Sequence, residues 1–250
     1  MSAAASYIIA DLHLQEQNPE LLQAFRDFVG RLHAGDNLYI LGDLFNFFVG
    51  LDPQDVAQQV VRDTLLQAKM RGVTCFFQHG NRDFLLTAAE AQALNMTLLP
   101  DLTVRRIAGL NVLLAHGDDF CSNDASYQRY KRKVSLPWLQ GLFRCLPLAC
   151  RRRIGHNIRN RSEAENFVGR DPAIYGVVVD TVAHYCKLLQ KSDDAPVDVV
   201  VHGHIHALGQ FKSEAGFRFS RYVLGAWGRS LSFCLIDAQR QVSLVEEKLP

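Results

Sequence analysis

Five short blocks hold the residues of this 250-residue chain whose types and spacing could do chemistry. They are Asp11-Leu12-His13, Gly42-Asp43, Gly80-Asn81-Arg82-Asp83, His116-Gly117 and His202-Gly203-His204. Carboxylates, an amide and imidazoles make a mixed oxygen and nitrogen donor set suited to Mn²⁺, Fe²⁺ or Zn²⁺, and a set without thiolate is unlike a structural zinc site. Two such ions held close together suit phosphoester hydrolysis, because they acidify a water and clamp the phosphoryl oxygens. Asp43, alone between the first and third blocks, is placed to bridge two cations. Arg82 directly follows Asn81. A guanidinium keeps its proton at neutral pH but holds two phosphate oxygens in a fork, which favours clamping over proton donation. A leaving group that needs little acid help, such as a nucleoside monophosphate or a sugar phosphate, then fits best.

These blocks need strands to deliver them to one place. Residues 7–10, 37–41, 73–77, 112–115 and 197–201 are apolar and β-prone, and each run leads into one block. Buried strands that all end in polar donors bring those donors to one sheet edge, where ligands of α/β proteins bind. Between the strands, residues 19–33 carry apolar positions 21, 22, 25, 28, 29 and 32, the spacing of an amphipathic helix. Pro53 opens a second helix running to about Arg71 with Gly72 as its stop, and a short helix covers residues 87–94. Residues 102–115 form a hairpin about Ala108-Gly109, and four strands fill the last fifty residues. The pattern predicts an α/β chain with two sheets packed face to face and helices outside.

Between the fourth and fifth blocks the composition changes. Residues 125–162 contain no Asp or Glu but ten of the 27 Lys and Arg, interleaved with Val134, Leu136, Trp138, Leu139, Leu142, Phe143, Leu146 and Leu148. A basic face beside a bulky apolar one predicts an anionic amphiphile or an anionic membrane surface as partner; a solvated basic cap is the plainer alternative. A helix from Asp171-Pro172 to about Lys191 returns the insertion to the core. The expected organisation is a core of residues 1–123 and 192–250 with a helical lid over 124–191.

Bulk properties narrow the field. The formal charge of +1 gives no reason to expect a nucleic-acid partner. The six cysteines show no CxxC pair, and with no signal-peptide pattern they read as reduced thiols of a cytosolic protein. The most apolar stretch, residues 136–150, is interrupted by Gln140, Arg144 and two prolines, so membrane contact is expected to be peripheral.

In order and content the five blocks resemble the calcineurin-like metallophosphoesterase superfamily (DxH, GD, GN, H-G, GHxH). The resemblance implies a four-layer αββα sandwich with a helical lid. It implies that Asp11, His13, Asp43 and His204 hold one metal and Asp43, Asn81, His116 and His202 the other, with Mn²⁺ in both, and that Asn81 and Arg82 are catalytic. His206 is read as a pocket-lining residue, and His33, His79, His156 and His184 fall outside the pattern. Gly42-Asp43-Leu44-Phe45, Gly80 to Leu85, His116-Gly117-Asp118 with Cys121 and Asp124, Pro137-Trp138-Leu139-Gln140 and Leu224-Gly225-Ala226-Trp227 are similar to a narrower branch. Its members hydrolyse the diphosphate of an acylated UDP-sugar, UDP-2,3-diacylglucosamine, in lipid A biosynthesis. That branch implies substrate contacts from Asn81, Arg82, Asp124, Tyr127, Ser162, Asn166, Arg170 and His202, and a peripheral place on the cytoplasmic face of the inner membrane of a Gram-negative bacterium. The chain departs from the branch at Asn46-Phe47, where an acidic residue and an aromatic are usual, and at Gly169-Arg170, where a lysine is. Another phosphoesterase of the superfamily, such as a cyclic-nucleotide phosphodiesterase or a soluble nucleotide-sugar pyrophosphatase, is the enzymatic alternative, and a silent scaffold of the same fold the non-enzymatic one.

Overall fold

The computed structural model describes residues 4–166, 172–190 and 196–249, with backbone alone at 159–166 and 172–173. In chain order the first half alternates strand and helix: β1 (Ser6–Ile9), α1 (Pro19–Gly30), β2 (Asn37–Leu41), α2 (Val56–Met70), β3 (Thr74–Gln78), α3 (Ala88–Ala93) and β4 (Thr97–Leu98). A hairpin of β5 (Leu102–Ile107) and β6 (Leu110–Ala115) follows, turning at Ala108 and Gly109, both with positive φ. Next come α4 (Ala125–Val134), α5 (Pro137–Arg144), α6 (Leu148–Asn166), α7 (Pro172–Tyr175) and α8 (Val179–Leu189). The chain closes with β7 (Val199–His202), β8 (Gly209–Lys212), β9 (Ser220–Val223), β10 (Ser230–Ile236) and β11 (Val242–Lys248).

The strands form two mixed sheets, ordered β11-β10-β1-β2-β3-β4 and β5-β6-β7-β9-β8. Strand periodicity explains how they stack. Ile8, Ala10, Tyr39 and Leu41 point to the second sheet and meet Val112, Leu114, Val199 and Val201. Their neighbours Ile9, Leu38 and Ile40 point the other way, onto α1 and α2. On the far side, Leu113, Ala115 and Val200 pack against Val182, Ala183 and Cys186 of α8. The layers are therefore helix, sheet, sheet, helix, as expected.

Local sequence explains most element ends. All six apolar positions expected to face the core from residues 21–32 are buried. The second helix ends in a Schellman motif, with Gly72 N–H on Lys69 O at 2.9 Å and Val73 N–H on Ala68 O at 3.0 Å. It begins at Val56 and not at Pro53, because the Asp55 side chain caps Gln58 N–H. The helix expected from Asp171 to Lys191 is two helices: Val178 is extended and donates to Phe120 O at 2.9 Å, a tertiary bond that interrupts it. Since α8 covers the second sheet, it is a layer of the core and not part of a lid.

The insertion is held to the core by its own basic residues. Arg144 pairs with Glu90, Arg152 with Asp52, Lys131 with Asp118 and Asp119, and Arg151 donates to Val49 O. The basic face expected from composition is thus partly internal. Among the described side chains of 125–158, Arg129, Arg132, Lys133 and Arg153 remain exposed.

Candidate metal centre

The donors stand just past the C-terminal ends of β1, β2, β3, β6 and β7, where the chain must turn sharply to aim them inward. Asp11, His13, Asp43, His204 and His206 all have φ between 50° and 71°. Left-handed backbone costs an L-residue about 1–2 kcal/mol, so five such residues in one place mark a site held by its surroundings. Asp83 supplies part of that hold. It is fully buried, and its carboxylate accepts from Gly80 N–H at 2.8 Å, Leu44 N–H at 2.8 Å and Asp43 N–H at 3.2 Å. Two loops are thereby locked together at a point where a Cβ on Gly42 would lie 2.4 Å from Gly80 N. His79 braces the same loop, bonded to Asp101 at 2.9 Å and to Leu86 O at 2.7 Å.

Two donor groups result. Asp11, His13 and His206 offer atoms within 4.8 Å of one another, and so do Asp11, Asp43 and His116. His206 Nε2 lies 3.3 Å from His13 Nε2 and 3.4 Å from Asp11 Oδ1. His204 Nδ1 lies 3.0 Å from Asn81 Oδ1 and 3.3 Å from His116 Nε2. His116 Nε2 is itself 3.0 Å from Asn81 Oδ1 and 3.8 Å from Asp43 Oδ1, while Asp43 Oδ2 is 3.8 Å from His13 Nδ1. Asp43 stands between the groups, and His116 Nδ1–H on Leu41 O at 2.8 Å leaves its other nitrogen free to face them.

His202 is not among these donors, contrary to the expectation that it is a ligand. It shares the parity of Val200 on β7 and so points to the outer face of the second sheet, edge-on to Phe120 at 5.3 Å. Both ring nitrogens have protein partners, Arg221 at 3.1 Å and Gly203 O at 2.9 Å. His206, expected only to line the pocket, occupies the place on the Asp11–His13 side.

The electrostatics fit a cation. Asp11 Oδ1 and His13 Nδ1 are buried without a hydrogen-bond partner, which is costly unless something else satisfies them. Burial, with Asp83 and Asp11 nearby, raises Asp43 to about 7 against the pull of His116 and Arg82. Burial lowers His13 to about 3 and His204 to about 4, leaving neutral imidazoles with lone pairs to offer. His116 rises to about 9: burial opposes this, but Asp43, Asp11 and Asp118 prevail. A divalent ion would resolve these frustrated charges, and the donors present match its chemistry.

Beside the donors lies a cavity of about 240 Å³ lined by Asn81, Phe84, Tyr127, Tyr130, Lys131 and Gln140, among others. Arg82 reaches the centre, with Nε 3.5 Å from Asp43 Oδ2 and no hydrogen-bond partner for that buried nitrogen. Tyr127 sits with its ring 5.9 Å from that of His204 and donates its hydroxyl to Asp118 at 2.6 Å. Asp124 caps α4, accepting from Tyr127 N–H at 3.0 Å and Ser126 Oγ–H at 2.7 Å. The side chains of Ser162 and Asn166, and all of Gly169 and Arg170, lie outside the described residues. Residues whose roles sequence reasoning missed are Asp83, Lys131 and Arg221. The first stands inside a motif block, but nothing in the sequence marks the other two as partners of carboxylates.

The calcineurin-like phosphoesterase model matches residues 6–208, and this chain belongs to that family; it is a metal-dependent hydrolase. Among curated relatives, the UDP-2,3-diacylglucosamine hydrolase of Pasteurella multocida (strain Pm70) is 41% identical over 97% of this chain and 98% of its own length. Proteins of the same name from Edwardsiella ictaluri (strain 93-146) and Haemophilus influenzae (strain PittGG) are 40% and 38% identical. They cover 94% and 92% of this chain, and 89% and 93% of their own lengths.

Proposed function

We propose that this protein hydrolyses the diphosphate of UDP-2,3-diacylglucosamine to UMP and 2,3-diacylglucosamine 1-phosphate. The observation that carries the proposal is a two-group donor cluster, with Arg82 beside it, in a chain that aligns over 97% of its length with a hydrolase of that name. Asp11, His13, Asp43 and His206 would hold one ion and Asp43, Asn81, His116 and His204 the other, with Mn²⁺ in both positions. Bound there, the ions supply an acidified water and charge neutralisation for the phosphoryl oxygens. Arg82 adds a fixed cation: its backbone N–H donates to Asp43 Oδ1 at 2.9 Å, which anchors the residue, while the guanidinium is left to grip a phosphate in a fork. Asn81 would meet the same phosphate, and burial around Asp43 keeps bulk water from screening these charges.

The cavity beside the centre supports a sugar with acyl groups, since its lining combines Phe84, Tyr130 and Val134 with Tyr127, Lys131 and Gln140. Asp124, Ser162, Asn166 and Arg170 are the further sugar and phosphate contacts on this reading. No helix among the described residues is long and apolar enough to cross a membrane. Trp138 and Leu142, 67% and 63% exposed, stand on α5, which directly follows α4 and its exposed cations Arg129, Arg132 and Lys133. That pairing favours a peripheral seat on an anionic bilayer at the cytoplasmic face of a Gram-negative inner membrane. The test is purified protein with UDP-2,3-diacylglucosamine and Mn²⁺, products resolved by phosphorus NMR. UMP and the sugar 1-phosphate are expected; equal turnover of UDP-glucosamine would reduce the assignment to a soluble nucleotide-sugar pyrophosphatase.

A further inference from the structure

We propose that Glu214, Arg221 and His202 form a positioning array, buried at Arg221 and His202, that sets the turn presenting His204 and His206. This rests on the reading that those two imidazoles hold metal. Arg221 on β9 is 3% exposed and His202 fully buried, and neither lines the cavity. Arg221 Nε and Nη2 grip both Glu214 oxygens at 2.7 Å, the guanidinium lies 4.2 Å over the Phe211 ring, and Nη1 reaches His202 Nε2 at 3.1 Å.

Donor and acceptor logic then fixes the imidazole. A guanidinium only donates, so Nε2 of His202 accepts and the ring proton sits on Nδ1. Nδ1 faces Gly203 O at 2.9 Å, and a carbonyl only accepts, so the two contacts demand the same tautomer. Gly203 is thereby pinned from three sides: its carbonyl also receives Ile205 N–H at 2.9 Å, and its own N–H donates to His116 O at 2.8 Å. The next residue continues the chain of restraints, with His204 N–H on Asp11 Oδ2 at 2.8 Å. A buried ion pair contributes little net stability compared with apolar side chains of the same volume. What apolar side chains could not supply is a directed donor on the His202 ring, and partners behind metal-binding elements act by orientation.

The test starts on the intact protein, ¹⁵N-labelled at histidine, with Zn²⁺ as a diamagnetic probe. Two-bond imidazole correlations are expected to show His202 protonated on Nδ1 with and without Zn²⁺, while His204 and His206 shift when Zn²⁺ is added. Arg221→Met should scramble the His202 tautomer and weaken Zn²⁺ binding about tenfold, with Arg221→Lys recovering part of both. If Arg221→Met does not fold, His202 variants decide. Asn places an amide N–H where Nδ1 stands and should keep Zn²⁺ affinity; Gln reaches toward Arg221 only and should lose it. An Nε2–H tautomer in the intact protein, a folded Arg221→Met with unchanged Zn²⁺ affinity, or equal affinity in the two His202 variants would overturn the array. Silence of His204 and His206 toward Zn²⁺ in a protein that binds it would instead remove their assignment as ligands, and the array's role with it. Loss of the UDP-diacylglucosamine activity alone would touch neither result.

Discussion

Lys131 is the most informative single residue to remove, because it joins the first helix of the insertion to the metal-bearing core. Its ammonium lies 2.8 Å from Asp118 and 2.8 Å from Asp119, and Asp118 also receives the Tyr127 hydroxyl. At that distance and an effective dielectric near 20, each contact carries about 6 kcal/mol of gross Coulomb energy. Desolvation of three charges and repulsion between adjacent carboxylates cancel most of it. Breaking one side of a buried pair nets about 3–5 kcal/mol, and the 23% exposure of the Lys131 side chain argues for the lower end, about 3 kcal/mol. For a chain of this size that is a fall of about 6–12 °C in Tm for Lys131→Met. The sign with pH follows from Asp118. Burial raises its pKa, but Lys131 and the neighbouring imidazoles of His116 and His204 outweigh burial and hold it below the ordinary range. Stabilisation from a depressed carboxyl is present above the unfolded value of about 4 and is lost as pH falls through the folded one. The Lys131→Met penalty should therefore be full at pH 7 and shrink below about pH 4. Urea unfolding of Lys131→Met, Asp118→Asn and the double variant at pH 7 measures the coupling directly. A coupling under 0.5 kcal/mol, with Tm unchanged, would refute the claim that this contact fastens the insertion.

Four further outcomes are expected. Exhaustive chelation should abolish activity and lower Tm, since the donors come from both sheets, and Asp43→Ala should lose metal from both positions by elemental analysis. Arg82→Ala should cut turnover at least a hundredfold, about 3 kcal/mol, at normal metal content, with only partial recovery in Arg82→Lys; near-normal kinetics would make Arg82 structural. Gly155→Ala should lift α6 from the core, because its methyl would meet the Phe47 ring at 1.7 Å. A loss of about 1–3 kcal/mol in urea unfolding, relieved by Phe47→Ala, is the signature. Liposome binding should depend on Arg129, Arg132, Lys133 and Arg153 at about 1 kcal/mol each, whereas Arg152→Ser should act first on stability through Asp52.

Much of this was readable from residue order. The apolar stripe of α1, the stop at Gly72, the hairpin at Ala108-Gly109 and the delivery of donors by strand ends all follow from local physics. The side of the sheet that His202 takes did not. Residues 199–201 are all valine, because a central strand buried on both faces shows no alternation, so the pattern could not say which face His202 joins. The break before α8 rests on one tertiary bond to Phe120 O, and the start of α2 on a side-chain cap at Asp55, which local propensity around Pro53 does not encode. Composition also overstated the charged surface, since it cannot show that Lys131, Arg144 and Arg152 face carboxylates of the core.

The donors are dispersed along the chain from residue 11 to residue 206, and that dispersion bears on how the protein is made. A chain grown only to the end of β6 would carry Asp11, His13, Asp43 and Asn81. It would still lack β7, the middle strand of the second sheet, and β10, the antiparallel neighbour of β1. Contacts of such long sequence separation form late, because loop closure must precede any gain from them. During synthesis the early carboxylates thus pass through a period in which they can attract ions loosely but cannot grip them. Metal loading becomes an event of the finished chain, and the bound ion a record that both sheets have closed.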